Sequence, residues 1–219
     1  MKKVAIILTG CGYLDGAEIH EATCTLLYLD KQGANMSYFA PDKTQMDVVN
    51  HNESKPMSES RNVLIESARI SRGEVKPLSE LDMSNFDALI LPGGFGAAKN
   101  LCSFAVDGPG CTIEPDVEKA IKSAHEQKKV IGAICIAPVV VARALKDTAA
   151  NPTLTVGTDK GTMDALKALN ANTEEAQVTE IVVDEKNRIV TTPAYMLGPS
   201  IAKVAEGIEK LVKKVLEMA

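Results

Sequence analysis

Short apolar runs alternate with longer helical patterns along this chain. The apolar runs predict strands near Val4–Leu8, Asn35–Phe39, Ala88–Leu91, Val130–Ile134, Leu154–Val156, Ile181–Val183 and Ile189–Thr191. The longer patterns predict helices over residues 18–31, 59–71, 116–128, 137–146, 161–170 and 199–217. Such alternation is typical of βαβ units around a parallel sheet. The sequence therefore predicts an α/β fold with a mostly parallel central sheet.

The end of the chain gives the clearest patterns. Apolar residues of the last helix recur at spacings of three and four, with charged residues between them: Ile201, Val204, Ile208, Leu211, Val212 and Val215. A helix of this kind docks its apolar face on a sheet. The two late strands are separated by the turn-forming stretch 184–187, which predicts a β-hairpin. The polar segment 41–58 predicts an insertion without a defined role.

Length and composition describe an ordinary globular protein. The chain has 219 residues, 45% of them hydrophobic and 24% charged, and no repeat or linker divides it. We therefore expect a single domain over residues 1–219. A net charge of −5 gives no electrostatic reason to bind nucleic acid or an anionic membrane surface. The first apolar run is too short for a signal peptide or a membrane span.

The cysteines show neither a disulfide pattern nor a metal-ligand pattern. There are five of them, widely spaced and without a CxxC pair, at positions 11, 24, 102, 111 and 135. An odd count with such spacing is no disulfide framework, so we expect a reducing cytoplasm. No set of His, Cys, Asp and Glu has the spacing of metal ligands, and no metal or other cofactor is expected.

Cys135 is the strongest candidate for a nucleophile. It stands between a buried apolar strand and a helix that has Pro138 near its first turn. A sharp strand-to-helix turn exposes a nucleophile, and a helix N-terminus stabilises a thiolate. The backbone N–H of Ile136 is then a candidate oxyanion donor. The alternative is that Cys135 is a small buried hydrophobe, the more common fate of a free cysteine.

Two glycine-containing loops are predicted to lie beside Cys135, because the carboxyl ends of parallel strands meet at one edge of the sheet. The first is Pro92–Gly96, where Gly93 and Gly94 allow close approach of a ligand and Gly94 offers a second oxyanion N–H. Its alternative is a plain βα turn. The second is the loop after the first strand, where Glu18 is a candidate acid–base residue. The alternative for Glu18 is a carboxylate that only stabilises the helix N-terminus.

Four motifs together resemble one family. GCGYLDGAEIHE at 10–21, PGGFGAAKN at 92–100, CIAP at 135–138 and TTPAYM at 191–196 resemble the ElbB-type, or ES-type, glyoxalase-like proteins of the PfpI-like, class I glutamine amidotransferase-like superfamily. The resemblance implies a flavodoxin-like three-layer sandwich and a homodimer. It also implies a glyoxalase activity, independent of metal, glutathione and cofactor, that converts glyoxal to glycolate. In that reading Cys135 is the nucleophile, Glu18 its acidic partner, and Gly94 and Ile136 the oxyanion donors.

The histidines depart from the amidotransferase pattern. All three precede Cys135, whereas a Cys-His-Glu triad requires a histidine after the nucleophile. His20 remains a possible site residue, but residues two apart on a helix point about 200° from one another, so His20 and Glu18 are not expected to share a face. Cys24 and Leu27 are expected to mark the apolar side of that helix. Cys11, as a resolving thiol, and Tyr195, as a pocket wall, are further possible site residues.

Three functions follow from these features. The leading one is thiol-dependent chemistry on a small dicarbonyl, with Cys135 as nucleophile and Glu18 moving the proton. The second is a thiol redox sensor or stress-associated binding protein, in which Cys135 is oxidised without turnover. The third, dinucleotide binding, rests on a loose GxGxxxG match at Gly10, Gly12 and Gly16 and is the least favoured.

Overall fold

The computed structural model describes residues 1–219 and contains eleven strands. The strands are β1 (Lys3–Ile7), β2 (Asn35–Ala40), β3 (Val49–Asn50), β4 (Lys55–Pro56), β5 (Val75–Pro77), β6 (Ala88–Leu91), β7 (Val130–Ile134), β8 (Thr153–Leu154), β9 (Asn172–Thr173), β10 (Val182–Asp184) and β11 (Ile189–Thr192). Seven of them form one sheet in the order β10-β11-β7-β6-β1-β2-β5. All neighbours in it are parallel except β10 and β11, which are antiparallel. The predicted α/β class, its mostly parallel sheet and its late hairpin are confirmed.

Seven α-helices flank the sheet. They are α1 (Ile19–Lys31), α2 (Val63–Ser67), α3 (Phe104–Asp107), α4 (Pro115–Glu126), α5 (Pro138–Leu145), α6 (Lys160–Ala168) and α7 (Ile201–Met218). A turn of π-helix, Ala97–Leu101, follows the loop after β6. In α7 the predicted apolar positions are buried except Ile201, which stands at the first helical position and is exposed. No helix has the length and apolar character needed to span a membrane.

The core has two halves, one on each face of the sheet. In β1, Ala5 and Ile7 belong to a cluster of 31 buried residues, whereas Val4 and Ile6 belong to a second cluster of 18. Alternate residues of a strand point to opposite faces, so this division makes β1 a fully buried central strand. Helices α4 and α5 supply the first cluster, and α1 and α7 supply the second. The sheet is the middle layer of a sandwich.

Three predicted elements differ from the structure. The helix expected over 59–71 is only α2, capped by the side chain of Asn62 and followed by turns. The strand expected at Leu154–Val156 is β8, which pairs with β9 in a separate small sheet. The polar segment 41–58 contains the hairpin β3–β4, and the edge strand β5 was not predicted. Strands of two or three residues carry too little alternation to be read from sequence.

Candidate active site

Cys135 occupies a strained turn at the carboxyl edge of the sheet. It follows β7 directly, three residues before Pro138 opens α5, and its φ is +61°. A positive φ is uncommon outside glycine and is the mark of a nucleophile elbow. Its backbone N–H donates to the Thr192 carbonyl, 2.9 Å away, which ties the elbow to the end of β11. The side chain is 7% exposed and lines the main cavity.

A buried carboxyl group, that of Glu21, lies beside Cys135: a Cβ built on Gly93 would be 2.5 Å from both Glu21 Oε2 and Cys135 Cβ. Glu21 lies in the first turn of α1 and is completely buried. Two backbone N–H groups donate to it: Gly93 to Oε2 at 3.1 Å and Tyr195 to Oε1 at 3.1 Å. These donors belong to the loops after β6 and β11. Glu21 therefore joins three sheet-edge segments at the thiol.

Burial controls the titration of both groups. It raises the pKa of Glu21 from its ordinary value of 4.5 to about 8, aided by the charge of Glu18 and opposed by the hydrogen bonds from Tyr195 and Gly93. Burial likewise raises the pKa of the Cys135 thiol, and the charge of Glu21 adds to the effect. Both groups are therefore mostly protonated at neutral pH, and Glu21 becomes a carboxylate as the pH rises past about 8.

Glu18 was the predicted partner of the thiol, and the structure gives that contact to Glu21 instead. Glu18 is the N-cap of α1, with extended backbone at ψ 123°, and its Oε2 accepts from the Glu21 N–H at 2.7 Å. This is the helix-stabilising alternative for Glu18. Its side chain also lines the cavity, beside the thiol but without a hydrogen bond to it.

A signal for Glu21 is present in the sequence. Glu21 falls in the buried stripe of α1 with Ala22, Thr25 and Leu29, and a carboxyl group on such a stripe is a candidate for function. The apolar side of this helix was predicted to include Cys24 and Leu27. Cys24 is buried but Leu27 is exposed, so the predicted position of the buried face was wrong at Leu27.

His20 and Tyr195 both line the cavity, and they contact each other. The His20 Nδ1 lies 2.8 Å from the Tyr195 hydroxyl and 3.9 Å from Glu18 Oε1. The prediction that His20 and Glu18 point apart was wrong because Glu18 precedes the helix, where helical angles do not apply. Tyr195 was predicted only to line the pocket, and in the structure its backbone N–H also donates a hydrogen bond to the Glu21 carboxyl.

The predicted oxyanion donors surround the sulfur. The N–H groups of Gly94 and Ile136 act on the Cys135 sulfur and oppose the rise of its pKa. Gly94 has φ +97°, and a Cβ there would lie 2.4 Å from the Glu18 nitrogen, so no other residue fits. Gly93 was predicted to allow close approach of a ligand, and in the structure its N–H donates to Glu21 Oε2. A Cβ on Gly93 would lie 2.5 Å from the Cys135 Cβ, so a side chain at this position would collide with the residues that carry the carboxyl and the thiol.

Cys11 does not line the cavity of Cys135. Burial raises its pKa, and the charges that act on it come from Arg69, Glu66 and Asp15. Glu66 lies in α2, and Arg69 lies in the turn that follows it. All five cysteines are free. The structure thus gives no contact that supports Cys11 as a resolving thiol for Cys135.

The cavity over the thiol has a volume of about 750 Å³. Its walls combine aromatic and apolar side chains with a few polar ones, and none of its fourteen lining residues is Lys or Arg. Sequence reasoning missed Phe104, Asp159 and Thr162, which reach the cavity from the segment after the π-helical turn and from the start of α6. No group of three or more His, Cys, Asp and Glu side chains is arranged to hold a metal ion.

The fold and the site define the class: a flavodoxin-like α/β protein with an elbow cysteine at the carboxyl edge of its sheet. Residues 2–202 match the model of the DJ-1/PfpI family, and the chain belongs to this family. It is 47% identical to the ES1 protein homolog, mitochondrial, of Rattus norvegicus, over 99% of this chain and 84% of the relative. It is 46% identical to the glutamine amidotransferase-like class 1 domain-containing protein 3, mitochondrial, of Homo sapiens, over 99% of this chain and 83% of the relative.

A solved structure agrees with this assignment. An isoprenoid biosynthesis protein with an amidotransferase-like domain from Ehrlichia chaffeensis matches with a TM-score of 0.94 at 37% identity. The match covers 100% of this chain and 99% of that one. The resemblance predicted from the four motifs is confirmed.

The predicted cytoplasmic location is contradicted by these comparisons. Both mammalian relatives are named as mitochondrial proteins. The prediction rested on the absence of a disulfide framework, which indicates how cysteines are spaced but does not distinguish one reducing compartment from another.

Proposed function

We propose that this protein is a cofactor-independent, glyoxalase-like enzyme that converts small dicarbonyls, glyoxal to glycolate being the simplest case. The observation that carries the proposal is the grouping at one sheet edge of the Cys135 thiol, two N–H donors and the buried Glu21 carboxyl, all beneath one cavity. Nucleophile, proton carrier and oxyanion donors are the parts that thiol chemistry on a carbonyl requires. Glu21 takes the acid–base role that the sequence analysis gave to Glu18.

The first step uses the carboxylate form of Glu21, whose population grows as the pH approaches about 8. Cys135 Sγ bonds to one carbonyl carbon, and the thiol proton passes to the Glu21 carboxylate. The oxygen of that carbonyl becomes an oxyanion held by the N–H groups of Gly94 and Ile136, and it receives the proton back to form a hemithioacetal. A group with a pKa of about 8 is suited to both directions of this transfer near neutral pH.

In the second step, the C–H proton of the hemithioacetal moves to the neighbouring carbonyl carbon. Glu21 removes it to give an enediolate and returns it to the adjacent carbon. The hydroxyl proton of the first carbon passes to the oxygen of the second, which leaves a thioester of glycolate on Cys135. Water then attacks the acyl carbon, and glycolate and the free thiol are released. One carbon of the substrate is oxidised and the other reduced, so no external oxidant or reductant is consumed.

The test is glycolate formation from glyoxal by metal-stripped protein, with Cys135→Ala beside Cys24→Ala. Cys24 is buried in α1 and has no part in the mechanism, so it controls for the loss of any buried thiol. We expect Cys135→Ala to lose turnover and Cys24→Ala to keep it. Full turnover by Cys135→Ala, or none by the wild type, would contradict the proposal.

A redox sensor is the alternative function, and the environment of the thiol argues against it. Burial and the neighbouring carboxyl raise the pKa of Cys135 and so lower its thiolate fraction, on which oxidation by peroxide depends. Mass spectrometry after mild peroxide treatment separates the two. Stoichiometric sulfenic or sulfinic acid at Cys135, in protein that does not turn over glyoxal, would favour the sensor.

A further inference from the structure

The cavity is far larger than glyoxal. A water molecule occupies about 30 Å³ of liquid, so the two carbons and two oxygens of glyoxal need on the order of 100 Å³. The cavity has about 750 Å³, within the range of sites that enclose drug-sized ligands. Most of the space above Cys135 is therefore available to a part of the substrate that does not react.

The walls of this space are aromatic and held in place. Tyr13 and Phe95 are 45% and 48% exposed, unusual for such side chains, and their backbones are joined by a 2.7 Å hydrogen bond. The His51 ring packs edge-on against Tyr13, with centroids 5.4 Å apart. Phe104 and Met196 complete an apolar lining. Burial of an aromatic or branched apolar arm of a ligand against such walls favours binding.

The charges in the cavity all have one sign. Glu18 and Asp159 both line it, and no Lys or Arg does. Asp159 caps α6, and the hydrogen bonds from Thr162 hold the pKa of its carboxyl below the usual range, so it is charged at neutral pH. Lys99 stacks against Phe95 without lining the cavity, and Asp47 neutralises it at 2.8 Å. The remaining basic side chain of the lining is His20, whose Nδ1 lies 2.8 Å from the Tyr195 hydroxyl and 3.9 Å from Glu18 Oε1. An anionic group in the cavity therefore meets two carboxylates and no lysine or arginine.

We propose that the substrates of this site are 2-oxoaldehydes with an aromatic or branched apolar arm whose far end is neutral or cationic, and that Glu18 and Asp159 exclude anionic arms. This specificity rests on the proposed function, since it concerns what the Cys135 thiol attacks. Glu18 is partly buried and Asp159 is exposed at the cavity wall. Like-charge repulsion from such groups selects against a ligand, and added salt weakens the part that comes from an exposed group.

The experiment compares glyoxal with three phenylglyoxals: unsubstituted, para-trimethylammonium and para-carboxylate. In the wild type we expect kcat/KM for phenylglyoxal to exceed that for glyoxal, and the carboxylate to fall at least about tenfold below the neutral and cationic compounds. Each value is divided by the rate of hemithioacetal formation with a free thiol, which removes differences in intrinsic reactivity.

Asp159→Asn isolates the charge, because asparagine keeps an oxygen that caps α6. We expect it to raise the carboxylate-to-trimethylammonium ratio of kcat/KM severalfold. Asp164→Asn is the matched control: Asp164 lies on the exposed face of the same helix, paired with Lys167 at 3.0 Å, and its removal is expected to leave the ratio unchanged.

Two results would overturn the inference while the proposed function stands. One is equal turnover of the anionic and cationic compounds by the wild type, and the other is the same ratio in Asp159→Asn and Asp164→Asn. Absence of turnover with every compound, glyoxal included, would overturn the proposed function and the inference together.

Discussion

Two buried cysteines of this protein have opposite surroundings. Cys135 lies against the Glu21 carboxyl, and burial together with that charge raises its pKa. Cys111 lies in the segment before α4, where the neighbouring Cys102 thiol lowers its pKa, burial opposes that shift, and the Arg143 guanidinium reinforces it. Arg143 also donates through Nε to the Cys111 carbonyl at 2.8 Å.

The comparison shows that thiolate content does not identify the candidate nucleophile here. At neutral pH Cys111 is the more ionised thiol, yet it lies outside the cavity, with no carboxyl group beside it. Cys135 is the less ionised, yet it has the cavity, the two N–H donors and a carboxyl group to take its proton. A raised pKa keeps the thiolate fraction of Cys135 low, and oxidation by peroxide depends on that fraction.

The largest expected effect is on enzymatic activity, which should depend on Cys135 and not on Cys111. Cys135→Ser should lower kcat/KM for glyoxal by at least about a thousandfold, because a hydroxyl group is a much weaker nucleophile than a thiol. Cys111→Ser should retain turnover, since its thiol has no route to the cavity. Steady-state assays at pH 7.5 measure both. Loss of activity in Cys111→Ser, with an unchanged circular dichroism spectrum, would contradict the assignment of the nucleophile to Cys135 alone.

The next effect is on stability and concerns the proton on Glu21. The folded protein holds that proton from the ordinary pKa of 4.5 up to about 8, whereas the unfolded chain releases it near 4.5. The stabilisation is therefore complete below 4.5 and is lost as pH rises through 8, by at most about 1.4 kcal/mol per pH unit. Urea unfolding from pH 5 to 8 should show the free energy of unfolding of the wild type falling relative to that of Glu21→Gln. A constant difference would contradict the raised pKa.

The smallest expected effect is on Cys111. Arg143→Gln removes a charge that favours its thiolate, so the pKa of Cys111 should rise above that of the wild type. The readout is ultraviolet absorbance of the thiolate against pH, taken as the difference between each protein and the same protein carrying Cys111→Ser. An unchanged midpoint would contradict a contribution of Arg143 to this pKa.

Much of the scaffold can be predicted from sequence because its signals are local. The spacing of Val204, Ile208 and Leu211 marks α7, and the apolar runs that stop at Gly93 or Cys135 mark β6 and β7. Parallel strands then bring their carboxyl ends together, so the grouping of Gly94 with Cys135 follows from topology.

The identity of the carboxyl group at the thiol does not follow in the same way. Glu18 and Glu21 lie three positions apart at a helix start, and only the exact N-cap decides which one enters the core. The cavity walls from α3 and α6 are also hidden from sequence reasoning. Phe104 and Asp159 come from distant loops whose approach depends on packing between elements rather than on any local pattern.

The central claim is that Glu21 moves the proton of Cys135. Its most direct test is the pH dependence of kcat/KM for glyoxal in the wild type, Glu21→Gln and Glu18→Gln, where glutamine at 18 keeps an oxygen for the helix cap. For the wild type we predict a rate that rises with pH to a plateau, with an apparent pKa near 8. Glu21→Gln should lower the rate by about 10² to 10⁴-fold and should lose this pH dependence. Glu18→Gln should keep the wild-type profile. A Glu21→Gln variant that keeps the rate and the profile, while Glu18→Gln loses both, would contradict the account.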